Sequence, residues 1–229
     1  MSPKSKRAIV LLSGGLDSAT TLYYAKSKGY RCFCLAFDYG QRHRREIKAA
    51  KAIAKTAGSP LQVLKLRFPW GGSALTDSSI PLPVNRSLNR IGQGIPATYV
   101  PARNTIFLSF ALGFAEAVGA GFIFIGANAI DFSGYPDCRP TYYRAIQKVA
   151  RLGTRAGVEG KPIRIVTPLI RMSKARIIRL GLRLKVPYRL TWSCYRGGKD
   201  PCGRCDSCRL RFNGFQAAGV RDLIPGRFA

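Results

Sequence analysis

The sequence has few acidic side chains and a single histidine among its 229 residues. It contains 11 Asp and Glu residues against 38 Lys and Arg residues, so its formal net charge is +27. A field of this sign attracts polyanions such as nucleic acids and nucleotide phosphates, but the basic residues are dispersed along the chain, as is typical of solvated faces. The scarce carboxylates are more informative, because five of them lie in glycine-, aromatic- or cysteine-rich motifs: Asp17, Asp38, Asp131, Asp137 and Asp206.

Long apolar runs are also missing. No stretch of eighteen uncharged apolar residues occurs, which excludes a membrane-spanning helix. The basic N-terminus is followed by a short apolar run over 8–12, which is too short for the core of a signal peptide. The seven cysteines are odd in number and clustered, which argues against a secreted disulfide framework. We therefore expect a cytoplasmic protein that does not bind membranes.

Apolar runs that alternate with helical patterns predict an α/β fold. Five short apolar runs read as buried strands, over 8–12, 31–37, 61–66, 122–126 and 163–166. Helices are predicted over 17–28, 42–57, 101–118, 141–152, 173–180 and 206–217. This order favours a doubly wound, mostly parallel five-stranded sheet with helices on both faces. A Gly-, Pro-, Ser- and Asn-rich segment over 68–98 is predicted to be a long functional loop or lid.

Three short motifs directly follow predicted strands. They are Ser-Gly-Gly at 13–15, Asp-Tyr-Gly at 38–40 and Gly-Ala-Asn at 126–128. Ligands of doubly wound sheets bind beyond the carboxyl ends of the strands. We therefore expect these motifs to meet at one active site.

The first motif extends to Ser-Gly-Gly-Leu-Asp-Ser over 13–18. Adjacent glycines let the backbone approach a ligand, and the following helix N-terminus binds anions. The segment lacks the Walker pattern and the dinucleotide fingerprint. It resembles the pyrophosphate loop of the ATP pyrophosphatases, which have a Rossmann-like adenine-nucleotide α-hydrolase fold. The resemblance implies that the loop holds the β,γ-diphosphate of ATP and that Asp17 helps to place Mg²⁺.

The predicted nucleotide contacts extend from the end of the first strand into the first helix. They are Leu12, Ser13, Gly14, Gly15, Leu16, Asp17, Ser18, Ala19, Thr20, Thr21 and Leu22.

Further strings resemble the 7-cyano-7-deazaguanine synthase family, in order over about 8–222. They are DYGQRH at 38–43, YVPARNT at 99–105, SGYPDCRP at 133–140, GVEGKP at 157–162, WSCY at 192–195 and CGRCDSC at 202–208. The resemblance implies conversion of 7-carboxy-7-deazaguanine, ammonia and ATP to the 7-cyano base with release of AMP and diphosphate. In that family the acid is activated as an acyl-adenylate, an amide forms, and a second ATP activates the amide before dehydration. The product is the nitrile precursor of queuosine and archaeosine in tRNA.

The resemblance also assigns candidate roles to single residues. Lys174, at a helix start, is predicted to bind phosphate, and Arg103 to bind phosphate or carboxylate through its planar fork. Asp131 and Asp137 are candidates to read the N–H donors of a guanine-like edge, and Tyr135 to stack on the base. Each of these residues also has a purely structural interpretation as a surface side chain, a helix cap or a turn. The lone histidine, at position 43, is interpreted as structural.

Four cysteines have metal-ligand spacing, C-x7-C-x2-C-x2-C: Cys194, Cys202, Cys205 and Cys208. Four thiolates favour tetrahedral Zn²⁺, and an iron–sulfur cluster is the chemical rival. The resemblance favours zinc, in a closed structural site. We expect a nucleotide-binding domain over 1–190 and a zinc-binding region over 191–229 packed on it.

Other functions share some of these features. A related ligase could join the deazaguanine acid to another amine, because the adenylation step is common to both. A basic tRNA-binding or tRNA-modifying protein would explain the charge, and basic zinc knuckles bind nucleic acid. The family resemblance implies small-molecule substrates and ATP, is compatible with a homodimer, and does not require nucleic acid.

Overall fold

The core of the molecule is a parallel β-sheet. The computed structural model describes residues 6–91, 93–129 and 134–224. Its strands are β1 (Arg7–Leu11), β2 (Arg31–Asp38), β3 (Leu61–Lys65), β4 (Phe122–Phe124) and β5 (Arg164–Val166). They pair in parallel in the order β3-β2-β1-β4-β5. The predicted doubly wound five-stranded sheet is confirmed, and its strand order reverses beside β1.

Strand β1 is central and buried on both faces. Val10 pairs with Cys34 of β2 on one side and with Phe124 of β4 on the other. Alternate residues of β1 enter two separate cores, with Val10 in one and Ile9 in the other. A strand covered on both faces needs apolar side chains at every position, which explains the uninterrupted apolar run.

Helices cover both faces of the sheet. They are α1 (Leu16–Ser27), α2 (Arg45–Thr56), α3 (Arg103–Val118), α4 (Pro140–Leu152), α5 (Arg155–Val158), α6 (Lys174–Arg183) and α7 (Asp206–Ala218). Helices α1, α2, α6 and α7 contribute to one core, and α3 and α4 to the other. Across the described residues, every helix is too short or too polar to span a membrane.

Some element boundaries differ from the sequence prediction. Helix α3 begins at Arg103 and not at 101, because Ala102 has a left-handed backbone with φ of 52°. The Asn104 N–H donates to the Asp137 carboxylate at 2.9 Å, a cap from 33 residues away that local sequence patterns do not reveal. Helix α2 begins at Arg45 and not at 42, after a turn in which Gln41 accepts from the Tyr39 N–H.

The long segment between β3 and α3 is a loop, as predicted, and it is fixed to the body of the protein. Ser73 and Thr98 within it are buried. Val84 forms an isolated antiparallel bridge with Cys205, and the Asn85 N–H donates to the Arg204 carbonyl at 2.9 Å. The loop is therefore fastened to the cysteine-rich segment near the C-terminus.

Candidate active site

A cavity of about 290 Å³ lies beyond the carboxyl ends of the central strands. All three motifs that follow strands contribute to its lining: Ser13 and Gly15 after β1, Tyr39 after β2, and Gly126 after β4. The prediction that these motifs meet is confirmed. Their convergence follows from parallel strand order, because the carboxyl ends of β1, β2 and β4 lie at one edge of the sheet.

The turn from β1 to α1 has the geometry of an anion site. Gly14 has φ of 90°, and a Cβ there would lie 2.2 Å from the backbone oxygen of Glu46. Gly15 is the N-cap of α1, and among the described residues no side chain caps the helix there. The Ser13 and Ser18 hydroxyls are hydrogen-bonded to each other at 3.0 Å. The first N–H groups of α1 are thus left for a ligand, as phosphate binding at a helix N-terminus requires.

Only part of the segment predicted to contact the nucleotide lines the cavity in the structure. Six residues of the segment line the cavity: Leu12, Ser13, Gly15, Leu16, Asp17 and Ser18. Gly14 faces α2. Four further residues are completely buried in the protein interior: Ala19, Thr20, Thr21 and Leu22. In this structure these four residues pack α1 against the protein interior and are not among the residues that line the cavity.

Asp17 and Lys174 lie side by side in the cavity although 157 residues separate them. The Lys174 Nζ donates to both carboxylate oxygens of Asp17, at 2.9 and 2.7 Å. Lys174 is the first residue of α6, which the Ser173 hydroxyl caps by accepting from the Arg176 N–H. A cation and a carboxylate therefore lie together next to the turn from β1 to α1.

Arg103 and Tyr135 also line the cavity. The Arg103 guanidinium donates to the Tyr39 hydroxyl at 3.3 Å and lies over the Tyr39 ring. The Tyr135 hydroxyl is hydrogen-bonded to the Thr98 hydroxyl at 2.8 Å. The Tyr39 side chain thus fixes the position of the Arg103 guanidinium at the cavity.

Asp131 and Asp137 were both predicted to bind the edge of the substrate base. Asp131 lies outside the described residues. Asp137 is buried, is not among the described residues that line the cavity, and accepts the Asn104 N–H at the start of α3. In this structure the Asp137 carboxylate caps a helix, and that contact positions Arg103 at the cavity.

Glu46 is a cavity residue that the sequence analysis missed. Burial raises its pKa to about 7; the guanidinium of Arg103 opposes this shift and the Cys194 sulfur adds to it. The residue lies in the charged run RREIKAAK, which is typical of a solvated helix face. Glu46 reaches the cavity because the first turn of α2 packs against Gly14. The local sequence does not show this packing, so it does not identify Glu46 as a cavity residue.

His43, interpreted as structural, also lines the cavity. Its ring lies against the backbone at Gly197, where an added Cβ would be 2.2 Å from the histidine Cβ. Its Nδ1 is buried and has no hydrogen-bond partner among the described residues. Burial lowers the pKa of His43, so the ring is neutral at neutral pH.

The four clustered cysteines form a candidate metal site. Their sulfur atoms all lie within 4.8 Å of one another, and tetrahedral Zn–S bonds would place them about 3.8 Å apart. The N–H groups of Arg196 and Cys202 donate to the Cys194 sulfur at 3.4 and 3.3 Å. Hydrogen bonds from Cys205 and Cys208 lower the pKa of Cys194. Stabilised thiolate and four converging sulfurs fit a closed four-thiolate metal site.

The cysteine cluster adjoins the cavity. Trp192, Ser193 and Tyr195, around the first cysteine, line it. The Trp192 N–H donates to the Gly14 carbonyl at 2.9 Å, and the Arg45 guanidinium lies 5.0 Å from the centre of the Trp192 ring system. The cysteine-rich segment and the turn from β1 to α1 are therefore joined by a direct backbone hydrogen bond.

The chain is similar to a group of known proteins over nearly its whole length. The profile of the family described as Queuosine biosynthesis protein QueC matches residues 7–219. Among curated proteins named 7-cyano-7-deazaguanine synthase, the one from Nostoc sp. (strain PCC 7120) is 58% identical over 222 residues, covering 96% of each chain. The one from Thermosynechococcus vestitus is 59% identical over 224 residues, with 96% of each chain covered. The one from Cellvibrio japonicus is 55% identical over 228 residues, with 98% of each covered.

A solved structure has a similar fold. NMN synthetase from Francisella tularensis superposes with a TM-score of 0.52 at 14% sequence identity, covering 96% of this chain and 79% of that one. At this identity the likeness concerns the fold alone.

Proposed function

The chain belongs to the QueC family of queuosine biosynthesis proteins, and from that premise we propose that it converts 7-carboxy-7-deazaguanine and ammonia to 7-cyano-7-deazaguanine at the expense of ATP. The observation that carries the proposal is the match to this family over residues 7–219. The anion-binding turn at the cavity supports it, because acid activation by ATP requires a site for the departing diphosphate. The cavity's mixed polar and aromatic lining suits a planar base.

The first step of the proposed reaction activates an unreactive acid. A carboxylate oxygen of the substrate attacks the α-phosphorus of ATP, and the bond to diphosphate breaks. The turn at 13–18 would hold the leaving diphosphate through the N–H groups of α1, and Lys174 would neutralise its charge. Arg103 would orient the phosphate or the substrate carboxylate through two parallel hydrogen bonds. Positioning and charge neutralisation are the main contributions of the protein.

Asp17 offers the carboxylate oxygens that Mg²⁺ prefers, next to the expected phosphates. When bound there, Mg²⁺ would offset the negative charge of the diphosphate. The Asp17–Lys174 ion pair would keep the carboxylate oriented toward the loop before the nucleotide arrives.

The remaining steps convert the acyl-adenylate first to an amide and then to the nitrile. Ammonia attacks the acyl carbon, AMP leaves, and an amide forms. A second ATP transfers AMP to the amide oxygen, and loss of that AMP with the last N–H proton gives the nitrile. Mass and nucleotide analysis therefore distinguish this reaction from the alternatives.

The decisive experiment is a single incubation of purified protein with ATP, Mg²⁺, ammonia and the carboxy base. We expect the nitrile by mass spectrometry together with AMP and diphosphate. A product that joins the acid to a different amine would favour the related ligase, and release of ADP in place of AMP would contradict attack at the α-phosphorus.

We also propose that residues 191–229 form a zinc-binding region packed on the nucleotide-binding part. Cys194, Cys202, Cys205 and Cys208 would hold Zn²⁺, which leaves no open coordination position when four thiolates bind. The metal would then be structural, fixing the wall that contributes Trp192 and Tyr195 to the cavity.

A further inference from the structure

The Glu46 carboxylate lines the cavity, where the charge of the Arg103 guanidinium acts on it. Within the described part of the chain, two acidic residues line the cavity, Asp17 and Glu46. Asp17 is held by the Lys174 ammonium. The Glu46 carboxylate forms no hydrogen bond or ion pair with any described residue, in a protein with 38 basic residues. Its oxygens are therefore available to accept a hydrogen bond or a proton from a ligand.

The backbone fixes Glu46 next to the phosphate loop. It is the second residue of α2, and its carbonyl oxygen is 2.2 Å from where a Cβ on Gly14 would stand. The first turn of α2 thus lies directly against the turn that binds phosphate. The Glu46 side chain lines the same cavity as Asp17 of this turn and as Arg103.

This inference rests on the proposed function, whose last step needs a proton acceptor. In the adenylated amide, the carbon carries one oxygen bound to AMP and one N–H group. The N–H electron pair becomes the third C–N bond, the C–O bond breaks, and AMP leaves with that electron pair. The proton must go to a base. We propose that the Glu46 carboxylate accepts this proton and is the general base of nitrile formation.

The other titratable side chains around the cavity suit this role less well. Burial raises the pKa of Tyr39 and of Tyr195, so both phenols keep their protons at neutral pH. The His43 ring packs against the backbone at Gly197, its Nδ1 is buried, and burial lowers its pKa, which makes the ring a weaker base. Burial raises the pKa of Glu46 to about 7, which makes its carboxylate a stronger base than an exposed one.

The test separates the two halves of the reaction. Wild-type protein and Glu46→Gln are each given the carboxy base with ATP, Mg²⁺ and ammonia, and separately the amide with ATP and Mg²⁺. Amide and nitrile are quantified by mass spectrometry at early times. We expect Glu46→Gln to form the amide within about tenfold of the wild-type rate and the nitrile at least about 100-fold more slowly. Glu46→Asp should restore part of the second rate, and the exposed Glu159→Gln should change neither.

Two results would overturn the inference alone. One is nitrile formation by Glu46→Gln at a rate close to wild type, which would show that no proton goes to this carboxylate. The other is an equal loss of amide and nitrile formation, which would assign Glu46 to substrate or ATP binding. If the wild-type protein forms neither amide nor nitrile, the proposed function fails and this inference fails with it. Because amide synthesis needs a folded protein, it also reports whether the variant folds.

Discussion

At the scale of single residues, Gly14 sets the shape of the phosphate loop. It combines a left-handed backbone with close contact to α2, whereas Gly40 has a similar φ of 85° and open space around it. Comparing the two glycines separates two free-energy costs of adding a methyl group. Both positions have the cost of a left-handed backbone in a residue with a Cβ. Only Gly14 has the further cost of a clash with backbone atoms of α2.

Gly14→Ala should lower the free energy of unfolding by about 2–4 kcal/mol, because its Cβ would meet the Glu46 oxygen and the Ala50 nitrogen. Gly40→Ala should cost only about 1 kcal/mol. Urea unfolding followed by circular dichroism measures both values. Equal losses in the two variants would contradict the close approach of α2 to the loop.

Asp17→Asn should reduce AMP release by at least about 100-fold while the protein stays folded. The amide keeps the shape of the carboxylate but loses its charge, so it binds Mg²⁺ and Lys174 poorly. Steady-state AMP release and a thermal unfolding curve give the two readouts. The matched control is Asp77→Asn, at a partly exposed loop residue that is hydrogen-bonded to Ser79. Near-normal turnover by the Asp17 variant would remove this residue from the site.

Glu46 should make stability depend on pH. Its pKa is about 7 in the folded protein and near 4.5 when unfolded, so folding favours the protonated form. Its contribution is intact below the unfolded pKa and declines as pH rises through about 7. Glu46→Gln should therefore match wild type near pH 4 and be more stable by about 3 kcal/mol near pH 8. Chemical denaturation of the wild-type protein and of Glu46→Gln at both pH values tests this, and an equal difference at the two pH values would contradict it.

At the scale of elements, the strands and most helices were predictable because residues within or next to each element determine it. Strands β1 and β4 are apolar runs. The start of α6 is capped by Ser173, and the end of α3 is marked by Gly119. The start of α3 was predicted two residues early, because its cap is supplied from Asp137. Single-turn elements such as α5 carry too few residues for a periodic pattern.

The candidate site was only partly predictable for a related reason. The phosphate loop and the four cysteines have short, specific spacings that the sequence displays. The partnership of Asp17 with Lys174 was not derivable from periodicity, and the family resemblance supplied the prediction for each residue. Glu46 was not predicted as a site residue, because its helix face has the charged composition of a solvent-exposed one. That face is buried only because α2 packs against Gly14.

The cysteine segment holds the long loop between β3 and α3, so the loop should loosen when the metal site is lost. Val84 bridges Cys205, and Arg86 pairs with Asp206. Cys205→Ser should abolish binding of about one zinc per chain and expose residues 66–102 to proteolysis. Elemental analysis and mass mapping of limited trypsin cleavage give the readouts. Cys32→Ala, in β2, should keep the metal and the protection; iron in place of zinc would change the metal assignment.

At the scale of the whole molecule, a net charge of +27 should act on encounter with anionic substrates more than on chemistry. We expect kcat/KM for ATP to fall several-fold as KCl rises from about 0.05 to 0.5 M, with kcat nearly unchanged. Sucrose at matched viscosity is the control for slower diffusion. A salt-independent kcat/KM would show that the dispersed charge does not guide the nucleotide. Nanomolar, salt-sensitive binding of tRNA would instead favour the RNA-binding alternative.

The hydrogen bond from Trp192 to the Gly14 carbonyl limits how this enzyme can be shortened. A fragment that stops at residue 190 would contain all five strands that the described residues form and the whole turn from β1 to α1. The Gly14 carbonyl would nevertheless lose the Trp192 N–H as its hydrogen-bond donor. Anyone seeking a minimal ATP-binding scaffold from this chain would have to graft a substitute donor at that point. The segment that begins at Trp192 is thus a component of the cavity wall, and circular permutation would preserve it where truncation would not.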